Sequence, residues 1–314
     1  MLVLNGPAAA SSLPAGGAVA LGNFDGVHRG HQELVRRARA HAARLGGPSI
    51  VLTFDPHPSR VLAPARAPPL ILPTPHRLDL LAGLGVDAVV LVPFTAELAR
   101  VPADAFVRDV LAGALRAAVV VVGFNFTFGH GRAGTPALLH TLGAAHGFTV
   151  DVVDGVLEGG EPISSTRARL AIQQGDMAAA TRLLGRPFAV RGTVVHGHHR
   201  GRTLGFPTAN LAAHVELLPA LGVYAARVDA VGGGPPVAHP AVVNVGTAPT
   251  FGGSLVTVEV HLLDADTDLY GRELEVAFVH RLRPEQRFDG IDALRGQIQA
   301  DVTEARRLLA GPPA

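Results

Sequence analysis

The sequence predicts two successive folds: an α/β domain built on a parallel sheet, then an antiparallel β-barrel followed by a C-terminal helix. Three observations predict this. Strand and helix patterns alternate up to about residue 170; after Gly185 strand patterns follow one another directly; the last stretch returns to helical spacing. A length of 314 residues suits about two domains. With 48% hydrophobic and 17% charged residues, each half has the means to bury a core.

In the first half, apolar runs at 19–21, 49–54, 88–92, 119–124 and 149–153 read as strands. A helical stretch over 31–45 places Leu34, Val35, Ala38, Ala42 and Leu45 on one face. Such alternation calls for βαβ units, hence a Rossmann-like parallel sheet with helices on both faces. The proline-rich stretch 64–75 reads as a long surface loop. In the second half, strands are predicted over 189–195, 223–228, 241–245, 255–263 and 274–279. Turn chemistry such as Gly232-Gly233-Gly234-Pro235-Pro236 separates them, as in an antiparallel barrel. A helix over 291–309 carries Leu294, Ile298, Val302 and Ala305 on one side. The change of pattern puts a linker near 184–187 and domains at 1–185 and 186–314.

Composition narrows the function. A formal net charge of +1 with no basic run lacks the footprint of a nucleic-acid or membrane-surface binder. The longest apolar run, around 117–122, is far short of the ~20 residues that span a bilayer. The N-terminal start shows no signal-peptide pattern. The absence of cysteine excludes disulfides and thiolate metal sites and fits a reducing compartment, so the expected location is cytoplasmic. There is no lysine either; all 27 permanent cations are arginine. A P-loop and a protein-kinase fold each set a lysine on the phosphates, so both are excluded. Phosphate chemistry here must use arginine, histidine, backbone N–H groups and a metal ion.

Two constellations carry such chemistry. The first strand runs into Gly22-Asn23-Phe24-Asp25-Gly26-Val27-His28-Arg29-Gly30-His31 and then a helix. A glycine-rich strand-to-helix turn presents N–H groups at a positive helix terminus, at the strand end where open α/β sheets bind ligands. His28 and His31 are spaced to face one phosphate chain; the plain alternative is a turn with two surface histidines. Further on, Ile163-Ser164-Ser165-Thr166-Arg167-Ala168-Arg169 opens another helix. Hydroxyls there are ordinary caps, but the helix dipole disfavours arginine in a first turn unless an anion binds beside it. Arg167 or Arg169 would then grip phosphate through two N–H groups.

The second constellation lies in the barrel half. Gly192-Thr193-Val194-Val195-His196-Gly197 leads through Gly201-Arg202 to Leu204-Gly205-Phe206-Pro207-Thr208-Ala209-Asn210-Leu211. Its glycines allow close backbone approach to a ligand. Thr208 and Asn210 each offer a neutral oxygen of the kind Mg²⁺ takes beside substrate phosphates. Downstream, Val256, Val258 and Val260 alternate with Thr257, Glu259 and His261, which puts Glu259 and His261 on the face away from the valines. A carboxylate there is either a solvated face residue or a general base.

Together, H-x-G-H and I-S-S-T-x-x-R resemble the nucleotidyltransferases that pass AMP to a phosphate or acid. Thr53-Phe54-Asp55-Pro56-His57-Pro58 and Gly123-Phe124-Asn125-Phe126-Thr127-Phe128-Gly129 resemble the flavin-side motifs of bacterial FAD synthetases. The Pro-Thr-Ala-Asn string, the 244–251 and 282–288 stretches and Tyr270-Gly271 resemble riboflavin kinases. The resemblance covers roughly 19–309 and departs from the pattern at Ala168, where a branched aliphatic residue is expected and packing is the property at stake. It implies a bifunctional riboflavin kinase and FMN adenylyltransferase, with Mg²⁺ and ATP, and riboflavin, FMN and FAD as substrates and products. It implies Glu259 as kinase base, Thr208 and Asn210 on the metal, and Gly201, Arg202, Gly205 and Phe206 in the kinase pocket. It further implies His28, His31 and Arg169 as adenylyl-transfer residues, with Gly22, Phe24, Gly26, Ser165, Thr166, Asn125 and Phe128 binding nucleotide or flavin. A kinase with a silent first half is a second reading, disfavoured by the intact motifs there. A flavin-sequestering protein is a third; it would need neither Glu259 nor the metal oxygens. The sequence carries no signal for an oligomeric state.

Overall fold

The structure, a computed structural model, describes residues 1–196, 205–231, 238–250, 253–265 and 269–311, with only the backbone of 248–250 and 253–255. Contacts divide the chain into two compact units: Met1–Pro69 with Thr74–Ser164, and Leu70–Pro73 with Ser165–Ala314. The 184–187 turn predicted as a linker lies within the second unit.

The first unit holds six parallel strands: β1 (Leu2–Asn5), β2 (Ala18–Leu21), β3 (Ser49–Asp55), β4 (Ala88–Pro93), β5 (Val119–Gly123) and β6 (Thr149–Val153). Their order is β1-β4-β3-β2-β5-β6. β2 and the Ser49–Phe54 part of β3 are buried at every position. Continuous apolar runs are what a parallel strand covered on both faces requires. Each fully buried Val, Leu or Ile contributes about 1.5–3 kcal/mol. From β2 the chain winds outward through β3 and β4, then restarts beside β2 with β5, so β2 and β5 flank the topological switch point. Ligands bind outside the carboxyl ends of the strands there.

Helix α1 (Arg29–Leu45) is capped by His28 at its start and by Gly46, at φ 66°, at its end. Leu34, Val35, Ala38 and Ala42 are buried as predicted, whereas Leu45, at the frayed end, is 49% exposed. Helix α2 (Thr74–Gly83) begins inside the stretch read as a surface loop. That reading is corrected: a 3₁₀ turn spans Pro64–Arg66, and Ile71 and Leu72 are buried. Strand β1 was not predicted, because its Leu2 and Val3 stay exposed on a sheet edge. Phe124, read as strand, lies past the end of β5 in the following turn.

The second unit opens with α3 (Ser165–Gln174) and α4 (Met177–Leu184). A closed antiparallel barrel follows, made of β7 (Phe188–Val195), β8 (Ala209–Ala213), β9 (Gly222–Ala230), β10 (His239–Thr250), β11 (Gly253–Leu262) and β12 (Glu273–Arg283). The strand order is β8-β11-β10-β9-β12-β7. Phe188, Tyr224 and Phe278 pack together at no more than 1% exposure. Burial pushes the Tyr224 hydroxyl up to about 12, and it donates to the Ala220 carbonyl. Residues of the opposite parity, Val223, Ala225 and Val242, meet Val302, Ala305 and Leu309 of the last helix, α5 (Ile291–Leu309). Arg283 ties that helix to β12 through Asp301, at 2.9–3.1 Å.

Candidate active sites

The glycine turn leaves β2 at the switch point and is unusually strained. Phe24 (φ 54°), Gly26 (φ 81°) and Val27 (φ 42°) all occupy the left-handed region. For a β-branched residue such as Val27 this is a rare conformation, costing on the order of 1–3 kcal/mol, and such strain concentrates at functional sites. The turn is held from beneath. Phe24 is fully buried, with its ring centroid 5.0 Å from that of His31. The Asn23 carbonyl accepts from the Thr53 hydroxyl at 3.0 Å, and the Val27 carbonyl accepts from Gln32 Nε2 at 2.9 Å. The Gly22 N–H is spent on Leu52 of β3.

His28 and His31 stack with ring centroids 3.6 Å apart. His28 Nδ1 accepts from the His31 backbone N–H at 3.3 Å, so in the neutral ring the proton sits on Nε2, as a donor. Burial, then His28, then Arg77 hold His31 well below the ordinary histidine range. Its Nδ1 is buried with no hydrogen-bond partner among the described residues. That costs stability, on the order of 1–3 kcal/mol, and such local costs are kept where a side chain serves a site.

Beside this turn, at the end of β5, Phe124 and Asn125 are exposed, Phe124 at 46%. Phe128 instead packs into the core against Phe106 and Phe126. Gly134 clears the space for its ring, since a Cβ there would come within 2.6 Å of it. In the second unit, Ser165 begins α3, Thr166 is exposed, and Arg169 is buried at 8% exposure while Arg167 is half-buried. Ala168 is fully buried, which explains why this position bears on packing.

The barrel site is a cross-strand row. Asn210 of β8 pairs with Glu259 of β11, and Glu259 pairs with Asn244 of β10. Directly paired residues share a face, so two carboxamides flank one carboxylate. The row continues through Val223 of β9 to Arg283 of β12. It therefore lies on the face that α5 covers farther along, not inside the barrel. His261 Nδ1 donates to the Pro207 carbonyl at 2.8 Å, and the Phe206 ring stands edge-on to His261 at 5.7 Å. These contacts seat Gly205–Thr208 against β11, where Gly205 turns at φ 85°. Gly201 and Arg202 lie outside the described residues.

Among the described residues no three His, Asp or Glu side chains are grouped to hold a metal alone. The neutral oxygens of Thr208 and Asn210 beside the Glu259 carboxylate are a hard-oxygen set, incomplete without phosphate and water, which suits Mg²⁺. Asn244 and Arg77 were not singled out from sequence. Even spacing from Val242 along β10 is the signal that marks Asn244; Arg77 carries none.

Comparison with known proteins agrees with this division. A model of the FAD synthetase family matches residues 11–167, and a model of the riboflavin kinase family matches residues 184–309. The bifunctional riboflavin kinase/FMN adenylyltransferase of Escherichia coli K12 is 41% identical over 94% of both chains. Its namesakes from Pseudomonas fluorescens and Bacillus subtilis are 42% and 36% identical, each over 92% of this chain and over 92% and 91% of their own. A crystal structure described as a macrolide-efflux protein from Streptococcus pneumoniae superposes with a TM-score of 0.87 at 34% identity, covering 98% of this chain and 99% of that one. No helix among the described residues here is long and apolar enough to cross a membrane.

Proposed function

The chain belongs to the bifunctional riboflavin kinase/FMN adenylyltransferase family, and we propose how its residues divide the two reactions, with adenylylation assigned to 1–185 and kinase chemistry to 186–314. The enzyme phosphorylates riboflavin to FMN and adenylylates FMN to FAD, using ATP each time. The observation that carries the kinase half is the Asn210–Glu259–Asn244 row. Glu259 takes the proton of the ribityl 5′-hydroxyl as its oxygen attacks the γ-phosphorus of ATP and ADP leaves. Thr208 and Asn210 hold Mg²⁺, which when bound screens the phosphate charge. Gly205 and Phe206 wall the pocket, and Gly201 and Arg202 are assigned to ATP binding by the family motif alone.

In the adenylyltransferase half, the FMN phosphate attacks the α-phosphorus of ATP and pyrophosphate leaves. Neutral His31, with His28 beside it, donates hydrogen bonds to phosphate oxygens; Ser165, Thr166 and Arg169 are assigned to nucleotide binding by their likeness to the family motif. Catalysis is then positioning and charge stabilisation, with no proton for the protein to remove. Gly22, Phe24 and Gly26 shape the turn rather than touch the base. Asn125 offers the isoalloxazine a polar handle, backed by Phe128, while exposed Phe124 adds flat surface. A cytoplasmic location suits ATP and FMN as substrates and the reducing compartment that a cysteine-free chain fits.

Incubating the purified protein with riboflavin, ATP and Mg²⁺ and separating the products tests this. FMN and FAD should both form. FMN alone would mean a silent first half, and unchanged riboflavin would mean a binding protein.

A further inference from the structure

Helix α2 enters the first unit behind the glycine turn, and the third residue past its start, Arg77, is 3% exposed. A buried arginine without a fully buried carboxylate bonded to it is uncommon. Here its guanidinium spends its donors on main-chain and hydroxyl oxygens. One terminal nitrogen donates to the Asn23 carbonyl at 2.9 Å, and the other to the Phe54 carbonyl at 3.1 Å and to Thr74 Oγ1 at 3.3 Å. Nε is buried with no hydrogen-bond partner among the described residues. Asp55 and then Asp25 favour its charge, against the burial that pushes it down.

The two carbonyls belong to different segments. Asn23 is the second residue of the turn after β2, and Phe54 is near the end of β3. One rigid fork thus spans the adjacent ends of β2 and β3, three residues before the strained Gly26-Val27 step. The Thr53 hydroxyl shares the Asn23 carbonyl, so this oxygen is held from two directions.

We propose that Arg77 is a positioning residue for adenylyl transfer, fixing the turn so that His28 and His31 stand in one stacked register. This rests on the reading of that turn as the adenylyltransferase site. A planar, always-charged fork suits the task better than a flexible side chain, because it fixes both the distance and the angle between its acceptors.

The test uses the full-length enzyme. Arg77→Met should lower kcat for FAD formation from FMN by about a hundredfold, the cost of misplacing catalytic groups by about 1 Å, with KM for FMN little changed. Riboflavin phosphorylation by the same preparation should stay at the wild-type rate. The ring protons of His31, followed by NMR, should shift their titration upward as the nearby cation is lost. Wild-type FAD formation by folded Arg77→Met overturns the proposal. Arg77→Lys keeps the charge but holds only one carbonyl at a time, so it should recover FAD formation only in part, to within about tenfold of wild type, with the His31 signals closer to wild type than in the Met variant. A folded Lys variant with displaced His31 signals but full FAD formation overturns the proposal, even should the Met variant fail to fold. His28→Ala with His31→Ala separates the two ideas. If that pair still makes FAD, the reading of the turn fails; if it does not while Arg77→Met does, only the role of Arg77 fails.

Discussion

Glu259 shows how much one side chain's neighbours decide. In the strand register it sits between Asn210 and Asn244, so a carboxamide stands on either side of its carboxylate. Glu259→Gln keeps the size and shape and removes the charge and the basicity. It should lower FMN formation by about 10²–10⁴-fold and leave FAD formation from supplied FMN intact; steady-state assays of the two half-reactions on one preparation decide it. His31 makes a different prediction. Its folded pKa lies well below 6.5 because burial, His28 and Arg77 all oppose its charge. The unfolded chain therefore binds the extra proton first as pH falls, so stability is present above about 6.5 and is lost progressively below it. Thermal unfolding followed from pH 7 to pH 5 should show a drop in Tm that His31→Gln makes shallower. An unchanged slope would mean that His31 titrates normally.

At the scale of elements, the sites are made by what strands bring side by side. Gly246 lies two residues past Asn244, on the same face of β10, and a Cβ there would stand 2.5 Å from Glu285 Oε1 and 2.9 Å from Asn244 Nδ2. Both are side-chain ends, so Gly246→Ala should fold but push Asn244 and Glu285 aside. FMN formation should fall by up to about a hundredfold while FAD formation from FMN persists; unimpaired kinase activity would show that the row has room to spare. Legibility followed the same logic. Alternation in β11 marked Glu259 because valines on the other face enforce period two. Strand β8 carries Ala209, Asn210, Leu211, Ala212 and Ala213, poor strand formers, so Asn210 read as part of a turn and its pairing with Glu259 stayed hidden. Arg77 was invisible because a surface-type residue near a proline-rich stretch gives no sign of burial. The H-x-G-H turn was visible, yet not its three left-handed positions, Phe24, Gly26 and Val27, two of them at residues with a Cβ.

For the whole molecule, the change from alternating to consecutive strands was readable because it is a change of period, and period is set by what each face must bury. Helices α3 and α4, helical like the first half, group by contacts with the barrel. The reason is in their contacts. Met177, Ala180, Leu183 and Leu184 are at most 4% exposed, and α4 packs on β12 and β7. At Gly175, whose φ is 75°, the backbone passes close to Tyr224 and Arg281, and Arg281 donates to the Leu221 carbonyl at 2.7 Å. The kinase residues themselves all lie after the barrel's first strand. A fragment starting at Arg186 therefore keeps Thr208, Asn210 and Glu259 but loses four buried apolar side chains, and large apolar groups are worth about 1.5–3 kcal/mol each. A fragment starting at Ser165 keeps both. Each should phosphorylate riboflavin and neither should make FAD, because His28 and His31 are absent from both. The longer fragment should melt at the higher temperature, by several degrees or more for a domain of this size. Circular dichroism melts with FMN production measured on the same samples decide it. Equal Tm values would show that α3 and α4 add nothing to the barrel, and a folded but inactive long fragment would show that the kinase site depends on groups from the first unit.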